Sequence, residues 1–356
     1  MTSRQVAFHL TDRCNLNCQH CLRDPGLQPR DLALPVLERV LGEARTVYAV
    51  EHVALTGGEP TLHPQFLHVL DAIAAHGMSW HMVTNGSQMP FVIAGLAAAP
   101  ARRAALTMLD FSLDGATEGV HDEIRGAGSF REVMSAIAAC EGLGIPFVLQ
   151  MVVHAKNRHE IEAFAFQAAQ LGAARVSFAW LQATGTKLDA ALFIPAHEWT
   201  AIVDRIERLS AVLTVPVSMP EGFPKAARFH VCDPFRSDTL HVDVEGRLNL
   251  CCQHAGTPAS GTRSDIAGDL TTMSLPAAHG RLLTIIHDTQ AARLAAIAAG
   301  PGDAWDAFPC NGCLAHFGKP HWRGDAPSGP VAERPRWRGA WADGATGTRL
   351  RLPVVG

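Results

Sequence analysis

Three cysteines, Cys14, Cys18 and Cys21, stand in the run Thr11-Asp-Arg-Cys-Asn-Leu-Asn-Cys-Gln-His-Cys21, directly after a short apolar stretch from Val6 to Leu10. A cubane iron–sulfur cluster is ordinarily held by four thiolates. Here three thiols fall within eight residues and the next cysteine is Cys140, so one iron of such a cluster would be left for a ligand other than protein. An open iron on a redox-active cluster is a reaction site. Structural zinc is the competing reading. It takes four tetrahedral ligands, usually in paired knuckles, and His20 would have to complete that set.

A second group comprises Cys232, Cys251, Cys252, Cys310 and Cys313. Four thiolates from it suit either a tetrahedral zinc or a second, complete [4Fe–4S] cluster. Leu240 to Leu250 reads as a hairpin around Glu245-Gly246 that runs into Cys251-Cys252. Strand alternation puts Leu248, Leu250 and Cys252 on one face and Cys251 on the other. Adjacent strand residues do not both face one iron. Cys140, in a helical stretch, reads as a small buried hydrophobe, and Phe164, Phe166 and Trp180 read as core. The 18 histidines are dispersed without a helical His-x3-His pair, so no histidine metal site is expected.

Composition narrows the classes. At 356 residues and 47% hydrophobic content, the chain is long enough for about two domains and a substantial core. A formal charge of -4 gives no electrostatic case for nucleic acid or an anionic membrane. The first residues lack the basic-then-apolar layout of a signal peptide, and no apolar run is long enough to span a bilayer. A cytoplasmic protein is expected, in which cysteines mean metal or redox chemistry more than disulfides.

The elements that must position these residues alternate strand and helix. Strands are predicted at 4–10, 52–55, 79–83, 106–113, 147–153 and 175–181. Helices are predicted at 35–48, 63–76, 90–104, 129–143, 158–171 and 195–213, with Gly or Pro at many of the joins. Such units imply a parallel sheet with helices outside, with ligands at the carboxyl ends of the strands. The cysteine loop, Gly57-Gly58-Glu59-Pro60, Thr84-Asn85-Gly86 and Ser112-Leu-Asp114-Gly115 all fall at those ends. After Pro220 the pattern changes to the hairpin, a helix at 275–299 and the Cys310-Asn-Gly-Cys313 run. Beyond Trp322 the chain is rich in Gly, Pro and Arg without periodicity.

The cysteine loop after strand one, Gly-Gly-Glu-Pro after strand two, and the stretch from Phe111-Ser-Leu-Asp-Gly-Ala-Thr-Glu118 to Phe130 together resemble the radical S-adenosylmethionine (SAM) superfamily. The resemblance is to the branch with a SPASM or Twitch extension, and it covers roughly residues 4 to 315. That branch includes peptide maturases, sulfatase-maturing enzymes, haem-pathway enzymes and sugar-alcohol dehydrogenases. The resemblance implies an α/β fold: a partial (β/α)6 TIM-like barrel over 1–220 and a small α+β Twitch-type domain over 221–322; the composition of 323–356 is that of a flexible tail. It implies that Cys14, Cys18 and Cys21 hold a [4Fe–4S] cluster whose fourth iron chelates SAM. Reductive cleavage then yields a 5′-deoxyadenosyl radical, with the protein positioning reagents and excluding water.

By the same resemblance, the SAM contacts are His20 through its carbonyl, Gly57, Gly58, Glu59, Pro60, Thr84, Asn85, Ser112, Asp114, Arg125 and Leu181. Glu59 is expected to accept from the SAM ammonium group. An auxiliary [4Fe–4S] cluster falls to Cys232, Cys310, Cys313 and either Cys251, which the family pattern favours, or Cys252. The implied partners are a flavodoxin- or ferredoxin-type electron donor and a peptide substrate brought by a separate recognition protein. The alternatives are a small-molecule substrate such as a cyclitol, sugar or tetrapyrrole, and, from another class, a zinc-stabilised binding protein without catalysis. No catalytic acid or base is assigned.

Overall fold

A computed structural model describes residues 5–23, 29–183, 189–225, 229–255, 263–300, 302–323 and 326–328. In it the alternation runs β1 (Gln5–His9), α1 (Leu34–Tyr48), β2 (His52–Thr56), α2 (Phe66–Ala75), β3 (Ser79–Thr84), α3 (Met89–Ala98), α4 (Pro100–Ala105), β4 (Leu106–Ser112), α5 (Glu118–Arg125), α6 (Ser129–Gly142), β5 (Phe147–Val153), α7 (Ile161–Gln170), β6 (Arg175–Trp180), α8 (Trp199–Val212) and β7 (Val217–Ser218). Helix α1 shows why these segments form where they do. Pro35 pre-sets its first turn, and Leu37, Val40, Leu41 and Ala44 make one buried stripe at helical spacing.

Two helices depart from expectation. The single helix predicted at 90–104 is broken at Ala99, which is extended because the following Pro100 disfavours the helical conformation there. The polar α5 was not expected; only His121 and Ile124 on it are buried. Cys140 is fully buried in α6 and Phe164 is core, but Phe166 is 46% exposed on the outer face of α7.

The rest of the chain adds α9 (Asp233–Arg236), β8 (Thr239–Val242), β9 (Arg247–Asn249), β10 (Ile266–Asp269), α10 (Leu275–Ala298), α11 (Pro309–His316), β11 (His321–Arg323) and β12 (Ala326–Ser328). The large sheet has the order β10-β9-β8-β1-β2-β3-β4-β5-β6-β7, parallel from β1 through β7. After residue 221, β8, β9 and β10 extend the same sheet beyond β1. Strand β8 pairs in parallel with β1, Ala7 opposite His241, and covers backbone donors and acceptors that an edge strand would leave open. The tail expected from residue 323 begins as a hairpin, Arg323 opposite Ala326. Residues 329–356 lie outside the described residues.

Register partners in a sheet share a face. Ala7, Ala54 and His81 align across β1 to β3, Val83 aligns with Asp110, and Gln150 aligns with Ser177. These residues, with Gln5, Arg175 and His241, line one cavity of about 550 Å³, so the sheet curves around this cavity while the alternate strand residues pack into the hydrophobic core.

Candidate active site

The loop after β1 carries the three N-terminal thiols, and each sulfur has one protein N–H directed at it. Leu16 N donates to Cys14 Sγ at 3.5 Å, Arg23 N to Cys21 Sγ at 3.4 Å, and Arg125 Nη1 to Cys18 Sγ at 3.9 Å. Burial pushes the Cys14 thiol up to about 12, reinforced by neighbouring Cys18, Cys21 and Glu59. A thiol so raised ionises only with positive charge beside it, which is the chemistry of a metal-bound thiolate. Among the described residues no three His, Cys, Asp or Glu groups converge as ligands of one ion; a cubane instead distributes its thiolates over separate irons. The donor set fits a cluster.

The Gly-Gly-Glu loop is pressed onto this loop from β2. Gly58 N donates to the Thr11 carbonyl and Glu59 N to the Arg13 carbonyl, each at 2.7 Å. A Cβ on Gly58 would stand 2.2 Å from Arg13 O, and one on Gly57, whose φ is +153°, 2.6 Å from Thr11 O. The glycines are required by the approach of two backbones. Pro60 starts a buried 3-10 turn capped by Glu59.

Glu59 is fully buried. Its Oε1 accepts from Thr61 Oγ1 at 2.7 Å and Thr84 Oγ1 at 2.9 Å, and its Oε2 from Asn85 N at 2.8 Å. It thereby ties the loop after β2 to the loop after β3. Asn85 Nδ2 donates in turn to Asn15 Oδ1 at 2.9 Å, steadying the cysteine loop between Cys14 and Cys18.

Asp114 anchors the opposite side. Its Oδ2 accepts from Arg125 Nε at 2.6 Å and lies 3.4 Å from His20 Nε2, while Oδ1 accepts from Val152 N at 2.9 Å. Burial would raise this carboxyl, but Arg125, His20 and His154 outweigh it and hold the group well below the usual carboxylate range. Arg125, on α5, thus bridges Asp114 and Cys18. Ser112 ends β4, half-buried. The buried Leu181 accepts from Trp322 Nε1 through its carbonyl at 3.2 Å, part of an aromatic joint in which Trp180 meets Phe308 at 5.6 Å.

The second thiol group assembles on one wall of the cavity, from Cys232, Cys251, Cys252, Cys310 and Cys313. Burial pushes Cys232 up to about 11 and Cys313 up to about 12. Cys310 rises for the same reason, with Cys313 and Cys232 adding to it. Cys251 and Cys252 differ. A hydrogen bond from Cys251, aided by His241 and Arg23, lowers Cys252, whereas Cys251 is raised and senses Cys310. Arg23 Nη2 donates to the Cys252 carbonyl at 2.8 Å, joining the two cysteine regions.

Several positioning residues escape sequence reading. Asn157 Nδ2 donates to the Asp114 and Val152 carbonyls at 3.0 and 2.8 Å, and Glu160 Oε2 accepts from Ala116 N at 2.7 Å. Both lie where the sequence reads only as the start of a helix. Their signal is a polar cluster following β5, as at the other strand ends. Asp110, His81 and Arg175 sit mid-strand or at a strand start, where an expectation of core hides them.

Residues 8–168 match the Radical SAM superfamily, and this part of the chain is a radical SAM domain, the class that takes SAM and a [4Fe–4S] cluster. Over 171 residues the chain is 34% identical to mycofactocin maturase MftC of Mycobacterium ulcerans, covering 47% of this chain and 45% of that protein. It spans less than half the length of that relative. It is also 29% identical to the PqqA peptide cyclase of Methylorubrum populi over 322 residues, covering 85% and 76% of the two chains. In fold it is similar to Streptococcus suis SuiB bound to precursor peptide SuiA, with a TM-score of 0.60 at 14% identity over 80% of this chain and 70% of that one. It is likewise similar to anSMEcpe with bound AdoMet, with a TM-score of 0.63 at 14% identity over 81% and 83%. Among the described residues no helix is long and apolar enough to cross a membrane.

Proposed function

We propose that this chain is a radical SAM peptide maturase: an oxidoreductase, working in the cytoplasm, that modifies a side chain of a ribosomally made peptide. The observation that carries the reading is the loop of Cys14, Cys18 and Cys21, with one N–H directed at each sulfur, clamped by the Gly-Gly-Glu loop. When bound, the cluster supplies the electron that cleaves SAM and generates a hydrogen-abstracting radical. The chain's residues hold that chemistry in place. Glu59 Oε2 retains an acceptor site for the SAM ammonium, with Gly57, Gly58, Pro60, Thr84 and Asn85 shaping its wall. Asp114 orients Arg125 and His20 beside the cluster loop, and Ser112 and Leu181 complete the rim.

The curved parallel sheet supports a partial (β/α)6 barrel with a Twitch-type extension. The extension would hold an auxiliary [4Fe–4S] cluster on Cys232, Cys251, Cys310 and Cys313, leaving Cys252 against Arg23 and His241. A flavodoxin- or ferredoxin-type donor would supply electrons, and a separate recognition protein would present the peptide. The names of the relatives, a maturase and a peptide cyclase, support a peptide over a small molecule.

Anaerobic reconstitution with iron and sulfide tests the reading. It should give roughly eight irons per chain, about four per cubane, and 5′-deoxyadenosine from SAM with dithionite. Deuterium should pass from a labelled precursor peptide into that product. Cys18→Ala should abolish SAM cleavage, while Cys313→Ala should remove one cluster and spare slow uncoupled cleavage. Tight zinc without SAM turnover overturns the reading.

A further inference from the structure

The proposed chemistry uses the strand ends and the two thiol groups, yet the cavity between the sheet and the second thiol group is lined by polar side chains that the mechanism leaves unused. Asp110 on β4 is 6% exposed and lines it, and its Oδ1 is buried with no hydrogen-bond partner. Arg175 on β6 approaches Oδ2 only to 3.8 Å and is itself 42% exposed, so solvent screens its attraction.

His81 lines the same cavity from β3, and its protonation pattern can be traced. Ser79 Oγ donates to the Glu51 carbonyl at 3.1 Å, so it accepts from His52 Nδ1 at 2.8 Å. His52 Nε2 is then the bare nitrogen and accepts from His81 Nδ1 at 2.6 Å. Burial, with His52 and Arg175 nearby, lowers His81 to about 4, which keeps it neutral. His81 Nε2 is therefore an acceptor, on a side chain that lines the cavity.

Two adjacent strands thus offer two acceptors, one of them charged, with no donor supplied by the described residues. A buried carboxylate oxygen without a donor is costly. A nitrogen cation supplies both the N–H groups and the charge, and 550 Å³ lies within the range of ligand pockets. We infer that the cavity binds a basic side chain of the substrate, an ammonium or guanidinium group, between Asp110 and His81. The inference rests on reading this cavity as the substrate chamber of the maturase.

Saturation-transfer NMR on the anaerobically loaded enzyme tests it with n-butylammonium and n-butylguanidinium, and with n-butanol and butyrate as controls. Both cations should saturate and the controls should not. Asp110→Asn should weaken cation binding at least tenfold. Arg175→Gln, which removes a competing cation, should tighten it at least threefold. Butyrate binding in place of the cations, unchanged affinity in Asp110→Asn, or no gain in Arg175→Gln overturns the assignment. If Asp110→Asn does not fold, His81→Phe takes its place, with an expected loss of at least threefold; unchanged affinity there also overturns it. SAM cleavage by the same preparations separates the two readings. Cleavage without cation binding removes this inference alone, and cation binding without cleavage removes the maturase reading alone.

Discussion

Arg23 reaches from the end of the first cysteine loop to the Cys252 carbonyl, 2.8 Å away, in the second thiol group. It also bonds the Ala255 carbonyl. This one guanidinium fixes the spacing between two regions that are more than two hundred residues apart in sequence. The end of the first cysteine loop is thus tied directly to the backbone of the second thiol group.

Arg23→Ala should uncouple the two regions. Loss of charge-assisted bonds to two carbonyls should cost about 2 kcal/mol. The number of 5′-deoxyadenosines formed per modified substrate should rise severalfold while both clusters remain. Iron content, product ratio and thermal unfolding check this together; an unchanged ratio would show that Arg23 has no part in coupling.

Gly58→Ala should drive the Gly-Gly-Glu loop off the cysteine loop, because the new methyl would stand 2.2 Å from the Arg13 carbonyl oxygen. SAM cleavage should fall at least tenfold. Gly119→Ala is the matched control. Gly119 lies exposed within α5 and an added Cβ meets nothing within 4 Å, so the change should stabilise by about 0.5–1 kcal/mol. Parallel melting curves and SAM turnover would show whether the two glycines differ in this way.

Asp110 should make stability depend on pH. Burial raises its carboxyl to about 6, with Arg175 opposing only in part. The folded state holds this proton more tightly than the unfolded chain, whose carboxyl titrates near 3.9. Stability should therefore fall as pH rises from about 4 to about 6. Asp110→Asn should remove that fall and be the more stable protein at pH 7, by about 3 kcal/mol. Urea unfolding of both proteins across this window is the measurement. A wild type that loses nothing relative to the variant between these pH values would contradict the assignment.

Lys319 is 3% exposed and donates to Asp265 Oδ2 at 2.7 Å and to the His254 carbonyl at 2.8 Å. Lys319→Met would strand a buried carboxylate and should cost about 3–5 kcal/mol. Lys319→Met with Asp265→Leu should recover a large part of that loss, since the uncompensated charge is gone. Denaturant midpoints of the two variants test the pair; equal destabilisation would contradict it.

The strand and helix alternation was legible because apolar periodicity and Gly/Pro punctuation act locally, and most boundaries fall within a few residues of expectation. The break at Ala99 was legible in principle, from Pro100. Helix α5 was not, because its sequence is polar and it is held by tertiary contacts made by its few buried residues and by Arg125. Nor was the parallel pairing of β8 with β1, since backbone pairing across such a separation leaves no local pattern. Residue types at strand ends exposed the cysteine, Gly-Gly-Glu, Thr-Asn-Gly and Ser-Leu-Asp-Gly loops. Their partners Asn157, Glu160 and Arg23 remained hidden because a polar residue at a helix start or in a loop has many possible roles.

The sequence by itself determined which side chains can ligate and in what order the elements follow, because thiol chemistry and hydrophobic period are properties of neighbouring residues. Only the tertiary structure decided that Glu59 bonds Thr84 and Asn85, that Arg125 stands between Asp114 and Cys18, and that Asp110 faces a cavity shared with the second thiol group. Those relationships depend on burial and on how the sheet curves, and both are set by the whole chain at once.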